Sequence, residues 1–336
     1  MKSESAESML KIRPMLFLCM GCWLCLFGNI LPLKAERRPL SHYAPYEAVV
    51  SESEQRRILS YLADDQARGR QTGTWANEMV ATYIRHEMED YGLLPFFNGG
   101  YTQRFMVDSL KGFNIAGWIP AKTPTDEYLV ISAHYDHMGA INGYVYNGAD
   151  DNASGVTAML NLAKIYALMA ERGEGPGKNL IFVAFDAKER SMAGSQFFVR
   201  NLGIPTKKIL CNLNLDQIGS ILEPVQKAAP EFIIVLGEHT LPKGTQRLTN
   251  SCNRIYKLGL DVNHTFYGSE NFTEIIYDLS DQASFRKVGI PALLFTSGFT
   301  QHTYKTTDDV QYIDFDVLRL RTLLVFYFIQ HFVQHR

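Results

Sequence analysis

The sequence predicts an α/β protein, a single domain built on a mostly parallel central β-sheet covered by helices. Three observations carry this. Apolar runs of strand length, such as LIFVAF at 180–185, lack polar alternation, as expected of strands covered on both faces. Helical apolar periods separate these runs, and alternating β and α elements favour a parallel sheet. The 336 residues, 46 % hydrophobic and 20 % charged, are ordinary for a globular chain and contain no internal repeat or second core.

Taken in order, Lys11 and Arg13 precede an uncharged apolar run from Met15 to Leu33, and charge resumes at Lys34. This is the pattern of a secretory signal cleaved after Ala35, or of a retained single-span anchor. Residues 1–35 are therefore expected to export the chain, periplasmic or secreted, or to attach it to a membrane. Residues 36–50 read as an extended linker and 51–336 as the folded domain. Three of the five cysteines lie in the leader. The remaining Cys211 and Cys252 lack ligand spacing, which excludes a cysteine-type zinc site and leaves two buried thiols or one disulfide. A net charge of −2 argues against nucleic acid as a partner.

A helix begins near Ser53 with Ile58, Leu59 and Leu62 on one face. DDQARGRQTGT at 64–74 is a loop, and Met79, Val80, Tyr83, Ile84, Met88 and Tyr91 mark an amphipathic helix stopped by Gly92, with His86 on its surface. Strands are expected at 113–119, 127–132, 180–186, 208–215, 232–236 and 290–295. Helices are expected at 153–170, through Phe197–Val199, at 245–258 and at 315–333.

The chemistry gathers around SAHYDHMG (132–139) and NGADDNASG (147–155). A strand delivers His134 and Asp136 at its end, and the pair Asp150-Asp151 precedes the next helix. One imidazole with carboxylates suits zinc. Asp136, two residues on, is positioned to orient His134 through its second ring nitrogen. The plainer reading is a hydrogen-bonded strand-end histidine beside a helix-capping aspartate. Against it, His134, Asp151, Glu189 and Asp216 all fall at or just past strand C-termini, the edge where such sheets bind ligands.

The ordered motifs AHYDH, GADDNASG, FDAKE, NLDQIG and SDQASF, with GIPALLF, resemble the co-catalytic zinc exopeptidases of clan MH, and more narrowly the bacterial leucyl aminopeptidase and aminopeptidase Y type. The resemblance runs from about residue 50 to 330. It implies the zinc exopeptidase fold, two zinc ions (one being the alternative), a peptide substrate, and hydrolysis of N-terminal residues. Carried over, His134 and Asp216 would hold one ion, Glu189 the other, and Asp151 would bridge them. Two such ions suit amide hydrolysis, because they polarise the carbonyl and acidify a bound water.

The chain departs from that pattern in two places. The general-base glutamate expected before Glu189 is Lys188, and a protonated lysine cannot take a proton. Lys188 either works as a strongly shifted neutral amine or points away toward a carboxylate such as Asp186. Ungapped alignment puts Tyr304 at the last ligand position, while His302, two residues earlier on the same side of an extended segment, is the expected ligand. With His302 elsewhere, Tyr304 would bring a hydroxyl near the metal. SDH is SDQ here, with Asp281 kept. An aminopeptidase thus stands beside two alternatives: a catalytically impaired relative that binds a peptide or partner, and a glutaminyl cyclase-like acyl transferase, which also needs a carboxylate at position 188.

Overall fold

The computed structural model describes residues 42–221, 231–245 and 247–334. The expected leader at 1–35 and residues 36–41 of the expected linker lie outside the described residues. The rest of the expected linker is not extended. It forms α1 (Ala44–Glu47), started by Pro45 in its first turn, because Tyr46 and Val50 bury themselves in the main core.

The strands are β1 (Leu94–Pro95), β2 (Thr102–Val107), β3 (Leu110–Ile119), β4 (Tyr128–His134), β5 (Gly139–Ile141), β6 (Tyr144–Tyr146), β7 (Asn179–Phe185), β8 (Ile209–Leu215), β9 (Phe232–Leu236), β10 (Asp261–Asn263) and β11 (Ala292–Thr296). The remaining helices are α2 (Glu52–Leu62), α3 (Trp75–Asp90), α4 (Gly155–Glu171), α5 (Ala193–Arg200), α6 (Leu248–Ile255), α7 (Glu270–Tyr277), α8 (Gln282–Arg286) and α9 (Phe315–Gln334). Ser51 and Thr74 cap α2 and α3 by accepting the amides of Glu54 and Asn77.

Among the described residues the main sheet runs β1-β3-β7-β4-β8-β11-β9-β10, with β2 paired to β3, and β5-β6 is a separate hairpin. The centre β7-β4-β8-β11 is parallel as expected. The flanks are not: β3 pairs antiparallel with β7, and β9 with β11, so the sheet is mixed. Adjacent positions on a strand face opposite layers. Ile131, Phe182 and Leu213 pack with α2, α3, α4 and α9 on one face. Val130, Ile181 and Phe185 pack with Phe198 of α5 and Phe285 of α8 on the other. Cys211 and Cys252 are both buried thiols.

Register aligns the strand ends. His134 lies opposite Phe185, and Ser132 opposite Asn214. The residues just past β4, β7 and β8 therefore emerge side by side on one edge. Phe182 has no solvent exposure at the centre of the larger layer. Phe182→Ala is expected to cost about 3–5 kcal/mol, read as a lower urea midpoint with unchanged slope. A midpoint equal to wild type would contradict this packing.

Candidate active site

His134 ends β4, and its Nδ1–H donates to the Asp136 carbonyl oxygen at 3.1 Å. That contact turns Nε2 toward Asp216 Oδ1 (3.3 Å) and Asp151 Oδ1 (3.4 Å). One donor atom from each of His134, Asp151 and Asp216 lies within 4.8 Å of the others, and all three residues are buried. Donor atoms of His137, Asp151 and Glu189 form a second group within the same limit. Asp151 belongs to both.

Four of these side-chain atoms lack other work. Neither carboxylate oxygen of Asp151 and neither ring nitrogen of His137 makes a hydrogen bond among the described residues, although both side chains are buried. Each such orphan costs roughly 1–3 kcal/mol, so a converging set of them fits a cation that satisfies them all. The donors, imidazole nitrogen and carboxylate oxygen, suit zinc. Burial lowers the pKa of His137 to about 4, against the pull of Asp151, which leaves its ring neutral with a free lone pair. For Asp151, burial opposes the charge, but Lys188, His134 and His137 outweigh it and hold the carboxyl below its usual range. Burial and Lys188 oppose a proton on His134, and Asp216, Asp136 and Asp151 overcome both to raise its pKa.

Buried polar contacts hold the edge in place. Arg70, fully buried, donates to the carbonyls of Leu62, Tyr135, Asn147 and Gly148 at 2.5–2.9 Å, tying the end of β4 to the loop before Asp151. Asp308 accepts the amides of Asp150 and Asp151 at 2.8 and 3.0 Å. Burial, then Asp150, raises the Asp308 pKa to about 7. Asn152 Oδ1 accepts the amides of Gly155 and Gln217 (3.1 and 2.9 Å), joining the start of α4 to the residue after Asp216. Ser280 donates its hydroxyl to Asp216 Oδ2 at 2.5 Å.

The structure brings together His134, Asp151, Asp216 and Glu189, and it corrects the expectations for Asp136, Lys188 and His302. Asp136 orients His134 through its carbonyl, not its carboxylate, which is 3.7 Å away and instead accepts the amides of Lys188 and Glu189 at 2.9 and 3.0 Å. Lys188 does not turn away to Asp186; its ammonium sits 2.9 Å from Glu189 Oε1 and 3.6 Å from Asp151 Oδ1. Asp186 is occupied by Thr72, Asn77 and the Phe113 amide. His302 is outside both donor groups: its Nδ1 contacts Thr307 Oγ1 at 2.9 Å, and its ring stacks on Tyr312. Tyr304 takes the rim instead, its ring parallel to His137 with centroids 6.4 Å apart and 5.8 Å from the Lys188 nitrogen. Asp281, also buried, lies outside both groups, and burial raises its pKa to about 6.

Sequence reasoning missed His137. Its signal was a second histidine three residues after the first in a loop leaving a metal-bearing strand end.

Residues 114–329, well over half the chain, match Peptidase family M28. The chain belongs to peptidase family M28. "Leucine aminopeptidase 1" of Leptosphaeria maculans is 27 % identical over 210 residues, covering 60 % of this chain and 51 % of that protein. The M28 chain thus spans about half the length of the curated relatives it matches. Its fold is similar to BSAP, a zinc aminopeptidase from Bacillus subtilis (TM-score 0.64, 14 % identity, 84 % of this chain and 95 % of that one). It is equally similar to Porphyromonas gingivalis glutaminyl cyclase (TM-score 0.63, 18 % identity, 84 % and 99 %).

Gly148 has a φ of +57°, and a Cβ there would overlap the Asp151 carbonyl oxygen and the His137 ring. Gly148→Ala is expected to lose about 1–2 kcal/mol of stability and to weaken zinc binding about 10- to 100-fold by calorimetric titration. Unchanged affinity would mean that the loop carrying Asp151 does not shape the site.

Proposed function

We propose that this chain is a zinc-dependent exopeptidase of aminopeptidase type, hydrolysing N-terminal residues of peptides. The observation that carries the proposal is the buried convergence of His134 Nε2, Asp151 and Asp216 at the carboxyl edge of the parallel strands. Membership of an M28 peptidase family and kinship with leucine aminopeptidases support it. In this reading His134, Asp151 and Asp216 hold zinc, with Glu189 and His137 on the far side of Asp151. Bound zinc supplies a Lewis acid for the scissile carbonyl and lowers the pKa of a coordinated water.

The chain's own residues set the limits of this chemistry. Asp136 fixes the His134 ring and the backbone at 188–189, so the two donor groups move as one unit. The ammonium of Lys188 lends positive charge to a developing oxyanion but takes no proton. Turnover is therefore slow, resting on electrostatic stabilisation in place of general-base catalysis.

That same ammonium favours a second reading, an impaired relative that binds peptides without cleaving them. The cyclase alternative has no such support, since it too requires a carboxylate where Lys188 stands. We also propose export, or attachment to a membrane, on the strength of the uncharged apolar run from Met15 to Leu33.

Two outcomes are expected. The purified chain contains zinc and releases anilide from a leucyl substrate, and a chelator abolishes release; a zinc-loaded chain with no turnover would favour the binding relative. Lys188→Glu raises hydrolysis by about 10²–10⁴, the usual worth of a general base. No gain would show that catalysis does not wait on a base at this position.

A further inference from the structure

Resting on the zinc reading, we infer that Lys188 takes the place of the second metal ion, so that the centre holds one divalent ion and one ammonium.

The argument is geometric and electrostatic. The second donor group consists of His137, Asp151 and Glu189. Its two carboxylates are those that the Lys188 nitrogen contacts, at 2.9 Å for Glu189 and 3.6 Å for Asp151. Lys188 is only 8 % exposed, with little open path to solvent for its charge. It lies against the rim tyrosine, Tyr304, the residue aligned with the last ligand position. Where the family pattern has a base and a ligand histidine, this chain has a cation and a ring that faces it.

Charge balance decides the occupancy. The ligand carboxylates are Asp151, Glu189 and Asp216, and the two imidazoles are neutral as ligands. A lysine is cationic at neutral pH. Three carboxylates against one divalent ion and one ammonium leave the centre neutral, whereas a second divalent ion leaves it with excess positive charge in a buried site. The charges just behind do not change this, because Asp136, bound to two amides, and Arg70, bound to four carbonyls, carry opposite signs and offset one another. His137, buried and with neither ring nitrogen hydrogen-bonded among the described residues, is the donor that a second ion would use if the ammonium were removed.

The test is zinc stoichiometry by native mass spectrometry on the folded chain, with no activity readout. Wild type is expected to bind about one zinc, lost in His134→Ala and kept in His137→Ala. Lys188→Gln, or Lys188→Met as a second neutral variant, is expected to bind about two, falling back to about one when combined with His137→Ala. Circular dichroism confirms that each variant is folded. Two ions in wild type, or one in both neutral variants, would overturn the substitution by lysine and leave the zinc reading intact. No ion in wild type or in either neutral variant would overturn both.

Discussion

The structure depends on one constraint: several buried acidic groups meet at one sheet edge, and something positive must hold them together. Asp151 is the pivot, shared by both donor groups, and its carboxylate makes no hydrogen bond among the described residues. Strand register brings the acids together, and burial of Asp151 and Asp216 shields them from bulk solvent. A divalent ion relieves this crowding, and an ammonium relieves part of it. Both cannot be doubled freely. A divalent ion and an ammonium about 4 Å apart repel by roughly 8 kcal/mol at an effective dielectric of about 20.

The scaffold answers that constraint with neutral donors and distant countercharges. Arg70 and Arg321, both fully buried, spend their guanidinium groups on backbone carbonyls near the edge and do not contact the ligand carboxylates. Asp150, Asp151's neighbour, accepts the amides of Gly219 and Ser220 and so clamps the loop after β8. The donor groups are thus positioned by backbone contacts on three loops, and their charges stay available to a cation.

Much of this was legible in the sequence. Continuous apolar runs located β4, β7, β8, β9 and β11, and the residues just beyond three of them located His134, Glu189 and Asp216. Strand direction was not legible: β9 reads like its parallel neighbours, since burial on both faces looks the same either way. The loop residues were least legible. His302 and Tyr304 differ by one turn of chain path, and the turn at 300–305, with Tyr304 at a φ of +59°, breaks the extended alternation that favoured His302. Arg70 and Asp308 were not singled out, because nothing local reveals that a charged residue will be buried among carbonyls or amides.

The most direct test of the central claim is a zinc-soaked crystal structure with anomalous scattering measured at the zinc edge. The account expects a strong peak between His134 Nε2, Asp151 and Asp216, with the Lys188 ammonium still against Glu189. No peak among those three side chains, or a peak only at a surface histidine, would contradict it.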